Sequence, residues 1–109
     1  MEIRKKEISS EGVKFILETG GKEIARAFLY LLKNDLHQKP FGFMEDVFVQ
    51  EEFRGKGYGK KIVEALIEEA RKKGCYKLIC TSRPSRDKVH AWYKKLGFRE
   101  QGFEFRIDF

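Results

Sequence analysis

VFVQEEFRGKGYG, residues Val47–Gly59, changes character within one short stretch. It opens as an apolar strand, passes through alternating glycines and cations, and leads into an amphipathic helix. That helix runs from about Gly57 to Lys73, with Ile62, Val63, Leu66, Ile67 and Ala70 on one face. Arg71, Lys72 and Lys73 lie at its negative dipole end, and Gly74 suits the position just beyond it. Gly55, Gly57 and Gly59 let a ligand approach the backbone closely and leave N–H groups pointing outward at the helix N-terminus. Such an arrangement binds phosphates, helped by the helix dipole and by Arg54, Lys56, Lys60 and Lys61. Taken alone, G-x-G-x-G is equally compatible with an ordinary turn carrying a solvated basic patch. It is neither a dinucleotide fingerprint, because the G-x-G-x-x-G spacing is absent, nor a P-loop, because no Gly-Lys-Ser/Thr follows.

The sequence on the N-terminal side reads as strands. Glu2–Ser9 is a weakly patterned basic strand with Ile3 and Ile8 as anchors, and Ser10-Glu11-Gly12 is a turn. Val13–Thr19 has strand composition, and Gly20-Gly21 suits a two-residue hairpin. Lys22–Leu32 is apolar on both faces and reads as a strand because a hairpin precedes it and no helix cap does. Asn34–Pro40 is a polar loop, followed by the strand Gly42–Val49. Glu45 and Asp46 sit side by side in that strand, so regular alternation points them to opposite faces. Beyond the long helix come a short buried strand Tyr76–Thr81, a loop Arg83–Asp87, a helix Lys88–Leu96 ended by Gly97, and one or two strands to Phe109.

The chain has 109 residues, 41% hydrophobic and 37% charged, which suits one compact domain. No apolar run approaches the ~20 residues that cross a bilayer. The N-terminus MEIRKKEI has no apolar stretch of signal-peptide length, which points to the cytoplasm. Cys75 and Cys80 are too few for a disulfide scaffold, and no Cys/His cluster suggests a metal. The net charge of +6 favours an anionic partner, either a phosphorylated cofactor or a nucleic acid.

Arg54-Gly55-Lys56-Gly57-Tyr58-Gly59 resembles the R/Q-x-x-G-x-G/A pyrophosphate loop of the GNAT superfamily of acetyl-CoA-dependent N-acetyltransferases. Thirty-four residues after Gly59, Tyr93 opens a stretch through Gly97-Phe98 that resembles the family's second motif, Y-x-x-x-G-F. The resemblance extends from Gly42 to about Phe105. It implies an α/β (α+β) fold with a compact mixed, mostly antiparallel sheet and two principal helices. It also implies acetyl-CoA as cosubstrate and direct attack of a primary amine on its thioester. Val47, Phe48 and Val49 then contact the pantetheine and acetyl through backbone groups, while Arg54 to Lys60 surround the pyrophosphate. Arg86 is a further phosphate contact, although many relatives have an Asn at its position.

The chemistry assigns roles within that frame. An aliphatic amine with pKa of ~10.4 must lose a proton before it attacks. Glu45 is the first candidate for the base, directly or through water, because it lies on the strand leading to the loop; the bland alternative is a solvated or ion-paired carboxylate. Asp46, His37 and His90 are lesser candidates. Tyr93 is the candidate general acid towards the CoA sulfur, with ring packing as its structural alternative. Cys75 and Cys80 are read as packing residues.

The acceptor stays open. GFMEDVFV is similar to the G-x-I-E-D-I-x-V strand of glucosamine-6-phosphate N-acetyltransferases, but the Arg83–Asp87 loop is longer than that subgroup's. The two helices usually inserted between the family's first two strands have no room between Glu2 and Lys22. Either the acceptor cleft is open to a bulky amine, such as a protein terminus or lysine, or a second subunit of a homodimer closes it. Phe103, Phe105 and Phe109 fit such a dimer, or one buried strand face. Two rival classes remain: an acyl-CoA sensor without turnover, and a small nucleic-acid-binding domain. The second lacks an RRM, KH or helix-turn-helix signature.

Overall fold

A computed structural model describes residues 1–109. The elements in chain order are β1 (Glu11–Thr19), β2 (Lys22–Leu32), β3 (Phe41–Val49), a 3-10 turn (Glu51–Phe53), α1 (Tyr58–Lys72), β4 (Leu78–Ile79) and α2 (Asp87–Lys95). They fall into two compact units, Met1–Ile79 and Cys80–Phe109. The first holds the whole sheet and α1; the second holds α2. No helix is long and apolar enough to cross a membrane.

In the first unit the strands lie in the order β1-β2-β3-β4. β1, β2 and β3 form an antiparallel meander, and β4 runs parallel to β3. The β1–β2 hairpin turns at Gly20 and Gly21, whose φ values of 56° and 76° are those a two-residue turn of this hand requires. Ala25, Ala27, Leu29 and Leu31 alternate along β2 onto one buried face. Met44 joins them from β3, and Ile62, Val63, Leu66 and Ala70 complete the core from α1. The helix thus buries its apolar stripe on the middle of the sheet. Its far end closes in a Schellman turn: Cys75 N–H donates to the Ala70 carbonyl at 3.0 Å and Gly74 N–H to Arg71 at 3.1 Å, with Gly74 at φ 78°.

Lys22–Leu32 is the strand expected, and the loop, both main helices and their terminal glycines lie where the pattern puts them. Four expectations are corrected. Glu2–Ser9 is not a strand: it has no neighbour to pair with, and Ile3 and Ile8 are exposed. Glu11 and Gly12 belong to β1 rather than to a turn, being paired with Leu31 and Tyr30 of the longer β2. The strand expected at Tyr76–Thr81 contracts to Leu78–Ile79, because only Gly42 and Phe43 of β3 pair with it. The tail to Phe109 forms no strand, and its apolar side chains are exposed.

Leu66 is fully buried at the centre of the α1–sheet contact. Leu66→Ala is expected to lower unfolding free energy by about 2–5 kcal/mol, read from the midpoint and slope of a urea titration followed by far-UV circular dichroism.

Candidate active site

β3 is irregular where the carboxylates sit. Arg26 pairs with Phe48, but Phe28 pairs with Glu45, so Asp46 and Val47 together oppose Ala27 alone. This is a β-bulge. Asp46 takes φ 51°, the sole positive φ among the non-glycine residues, and Asp is one of the few side chains tolerated there. The regular alternation that set Glu45 and Asp46 on opposite faces is therefore broken at this bond. Both carboxylates are exposed. The adjacent acidic pair inside an apolar strand was the available signal for this bulge.

The bulge coincides with a second irregularity. β4 pairs with β3 only at Gly42 and Phe43, so from Met44 onward β3 has no strand on that side. Half-buried Val47, Phe48 and Val49 thus run along an edge with no strand partner on that side, where the Val49 carbonyl is met by Arg54 instead. Gly42, by contrast, is closely enclosed. A Cβ there meets Leu78 Cδ1 at 2.9 Å and Leu29 Cδ1 at 3.0 Å, so any larger residue must push these leucine side chains aside.

After Val49 the chain is held by local contacts. Gln50 N–H donates to the Ile24 carbonyl at 2.8 Å, and Arg54 Nε–H donates to the Val49 carbonyl at 2.8 Å. Two guanidiniums approach the Phe48 ring, with Arg26 Cζ 4.7 Å and Arg54 Cζ 5.3 Å from its centroid. Lys22 bonds Glu52 at 2.7 Å and holds that carboxyl below its ordinary value. Phe53 packs edge-on to Tyr58, at 6.3 Å between centroids, with Lys56 Nζ 5.6 Å from its ring. Arg54 is therefore partly a brace for the loop, a role the sequence did not reveal.

Gly55 and Gly57 have φ values of 77° and 85°, and a Cβ at either would meet open space. Gly57 is the N-cap of α1 and provides no side-chain hydrogen bond. Lys61 N–H is the first to close a helical bond, to the Gly57 carbonyl at 3.1 Å. The preceding N–H groups, through Tyr58, Gly59 and Lys60, thus have no intrahelical acceptor. The first turn contains no acidic residue, so nothing on the helix itself competes for the positive dipole end. Lys60 lies 3.8 Å from Glu64, an exposed and weak pair. Uncapped donors in a stretch that also carries Arg54, Lys56, Lys60 and Lys61 fit a pyrophosphate.

Tyr93 and Arg86 lie in the second unit. Arg86 is the exposed N-cap residue of α2. Tyr93 has a structural task besides any chemical one. Phe98 N–H donates to the Tyr93 carbonyl at 3.0 Å and Gly97 N–H to Lys94 at 3.1 Å, a Schellman turn with Gly97 at φ 105°. The Tyr93 and Phe98 rings close it at 5.5 Å. The spacing Tyr-x-x-x-Gly-Phe is thus also the spacing of this helix stop. Burial raises the Tyr93 phenol above its ordinary value, reinforced by Cys80 and opposed by Arg86, so the hydroxyl keeps its proton at neutral pH. Burial also pushes Cys80 up to about 11 and raises Cys75, which disfavours thiolate chemistry at either.

The family model described as acetyltransferase (GNAT) family matches residues 2–98. The glucosamine 6-phosphate N-acetyltransferase of Trypanosoma brucei brucei is 43% identical over 67 residues, which are 62% of this chain and 44% of that protein. This chain therefore matches less than half the length of that curated relative. A crystal structure of glucosamine-6-phosphate N-acetyltransferase from Arabidopsis thaliana superposes with a TM-score of 0.81 at 31% identity, covering 90% of this chain and 67% of that one. A Trypanosoma brucei acetyltransferase structure matches with a TM-score of 0.81 at 33% identity, covering 90% and 69%.

The left-handed backbone at Asp46 separates its conformational role from any chemical one. Asp46→Gly is expected to keep the fold's stability, whereas Asp46→Val loses about 1–2 kcal/mol, measured by paired urea titrations. Equal losses in the two variants would show that the carboxylate itself, rather than the positive φ, is what matters there.

Proposed function

Because this chain belongs to the acetyltransferase (GNAT) family, we propose that it transfers an acetyl group from acetyl-CoA to a primary amine by direct attack. The observation that carries this reading is the uncapped, glycine-lined start of α1 at the end of a strand with one open edge. The free N–H groups and Lys56, Lys60 and Arg54 would hold the pyrophosphate, with Arg86 as a further phosphate contact. The open edge at Val47, Phe48 and Val49 would pair with the pantetheine amides as a missing strand would. The thioester supplies the activated acetyl group.

Glu45, exposed beside the bulge, would take the proton that the acceptor ammonium must lose, directly or through water. Tyr93, kept protonated by burial, would return a proton to the departing thiolate. A phosphorylated amino sugar heads the acceptor candidates. Support comes from the names of the relatives and from the GFMEDVFV strand, and a basic surface suits an anionic acceptor.

We also propose a homodimer. Phe103, Phe105 and Ile107 are 91%, 93% and 78% exposed, and they alternate with Glu104, Arg106 and Asp108. That is the pattern of a strand with one face to bury, and the sheet edge of a second copy would supply the cover.

The test is calorimetric titration with acetyl-CoA, then release of free thiol on a panel of amines led by glucosamine 6-phosphate and including a peptide with a free N-terminus. Saturable binding with thiol release on one amine supports the transferase; binding with no release on any amine supports a sensor. Glu45→Gln is expected to lower kcat by about 10²–10⁴-fold while acetyl-CoA affinity holds. The Tyr93 phenol is raised, so its acid form persists to pH ~10 and beyond. The rate should then climb with pH as the amine deprotonates, with no descending limb below about pH 10. In Tyr93→Phe the rate should fall while cofactor binding remains.

A further inference from the structure

A cavity in the first unit lies at the other end of β3 from the glycine loop. It has a volume of about 380 Å³ and is lined by Lys33, His37, Lys39, Phe41, Tyr76 and Lys77, together with neighbours from the segment before β1 and the end of β2. No Asp or Glu lines it. The three ammonium groups therefore have no lining carboxylate to neutralise them, and anions are the ligands they favour. The aromatic groups are gathered as well. His37 and Tyr76 lie 5.2 Å apart between centroids with 31° between their planes, and Phe41 meets Tyr76 edge-on at 6.4 Å. Lys77 Nζ is 4.8 Å from the Phe41 centroid and 5.3 Å from that of Tyr76. Tyr76 is nonetheless 45% exposed, so ring surface remains for a further flat group to cover.

The position separates this cavity from the proposed transfer chemistry. Phe41 is four residues before Glu45 and eight before Val49, roughly 13 Å and 26 Å along an extended strand. The cavity and the glycine loop therefore lie towards opposite ends of the strand, and neither Glu45 nor the loop lines the cavity. The local sequence explains the geometry. Pro40 accepts a hydrogen bond from Tyr76 N–H at 3.1 Å and Gly42 N–H donates to Lys77 at 2.9 Å, so the start of β3 and the approach to β4 are locked side by side. That lock brings Phe41, Tyr76 and Lys77 together, and the Asn34–Pro40 loop adds His37 and Lys39.

We propose that this cavity binds a small phosphorylated ligand with a planar ring, of the nucleoside monophosphate type. The ring stacks on the Tyr76–His37 surface and the phosphate meets Lys33, Lys39 and Lys77. The volume lies in the range of single small-molecule sites, about 300–1,000 Å³, and this favours one free nucleotide over a tract of single strand. The site is independent of the acetyl-transfer reading and stands or falls separately from it.

The experiment is calorimetric titration of the full chain with adenosine 5′-monophosphate, with adenosine and inorganic phosphate as half-ligands and a uridine oligonucleotide as the polymer. Expected is saturable binding of one nucleotide per chain, weaker binding of each half, and no gain with polymer length. Tyr76→Ala should weaken it by roughly 5- to 150-fold, the range of base–aromatic stacking. Lys77→Glu should cost on the order of tenfold. Both side chains are exposed, so folding is expected to hold, and far-UV circular dichroism checks it. Lys56→Glu, in the glycine loop, should leave the titration unchanged. A flat titration overturns the proposal. Loss of binding with Lys56→Glu but not with Tyr76→Ala assigns the nucleotide to the glycine loop instead. Affinity that grows with oligonucleotide length and falls steeply with salt makes the surface a nucleic-acid contact.

Discussion

The burial of α1 against β2 and β3 is the interaction on which the rest of the first unit depends. Ile62, Val63, Leu66 and Ala70 meet the face made by Ala25, Ala27, Leu29, Leu31 and Met44, with no polar or charged residue among the buried groups. The contact fixes both ends of the helix. Its C-terminal end closes on Gly74 and turns the chain towards β4, and its N-terminal end is reached from β3 through the 3-10 turn and the glycine loop. A helix start normally recruits a Ser, Thr, Asp or Asn to satisfy its first donors. Here Gly57 occupies that position and the donors remain free. The stability lost by omitting a cap is borne by the apolar stripe, which leaves this helix start free to meet an anion.

β3 carries the other constraint. A regular strand paired on both sides would have spent its backbone groups on neighbours. The bulge at Asp46–Val47 and the early end of β4 leave the second half of the strand with one partner only. The same stretch continues through Arg54, which hydrogen-bonds back to Val49 and stacks on Phe48. Strand edge and glycine loop are consequently one braced object. Ligand recognition by backbone needs such rigidity, because a mobile edge loses entropy each time it binds.

Charge and aromatic content are distributed in two different ways over the first unit. Around the glycine loop the cations sit with free N–H donors, which suits a pyrophosphate. At the start of β3 they sit with rings, and the local pairing of Pro40–Tyr76 and Gly42–Lys77 brings them together. A net charge of +6 spread over the chain would not distinguish the two places. Their difference lies in what accompanies the cations: helix donors in one case, ring faces in the other.

Much of this was determined by the sequence itself. The 3.6-residue apolar period from Ile62 to Ala70, the glycines at 55, 57 and 59, the Gly-Gly hairpin and the helix stops at Gly74 and Gly97 are local patterns with local causes, and each is legible without knowing what lies nearby. The ends of the chain depart from their local pattern for the complementary reason. Strand character at Glu2–Ser9 and in the tail is a propensity, and a strand forms only where another strand presents its edge. The partition of β3 was equally out of reach. Only the tertiary structure decided that β4 pairs with two of its residues, that Ala27 faces two others, and that Tyr76 and Lys77 meet Phe41 across more than thirty positions of sequence. Local pattern records what a residue prefers; pairing register and distant contact depend on which other segment arrives beside it.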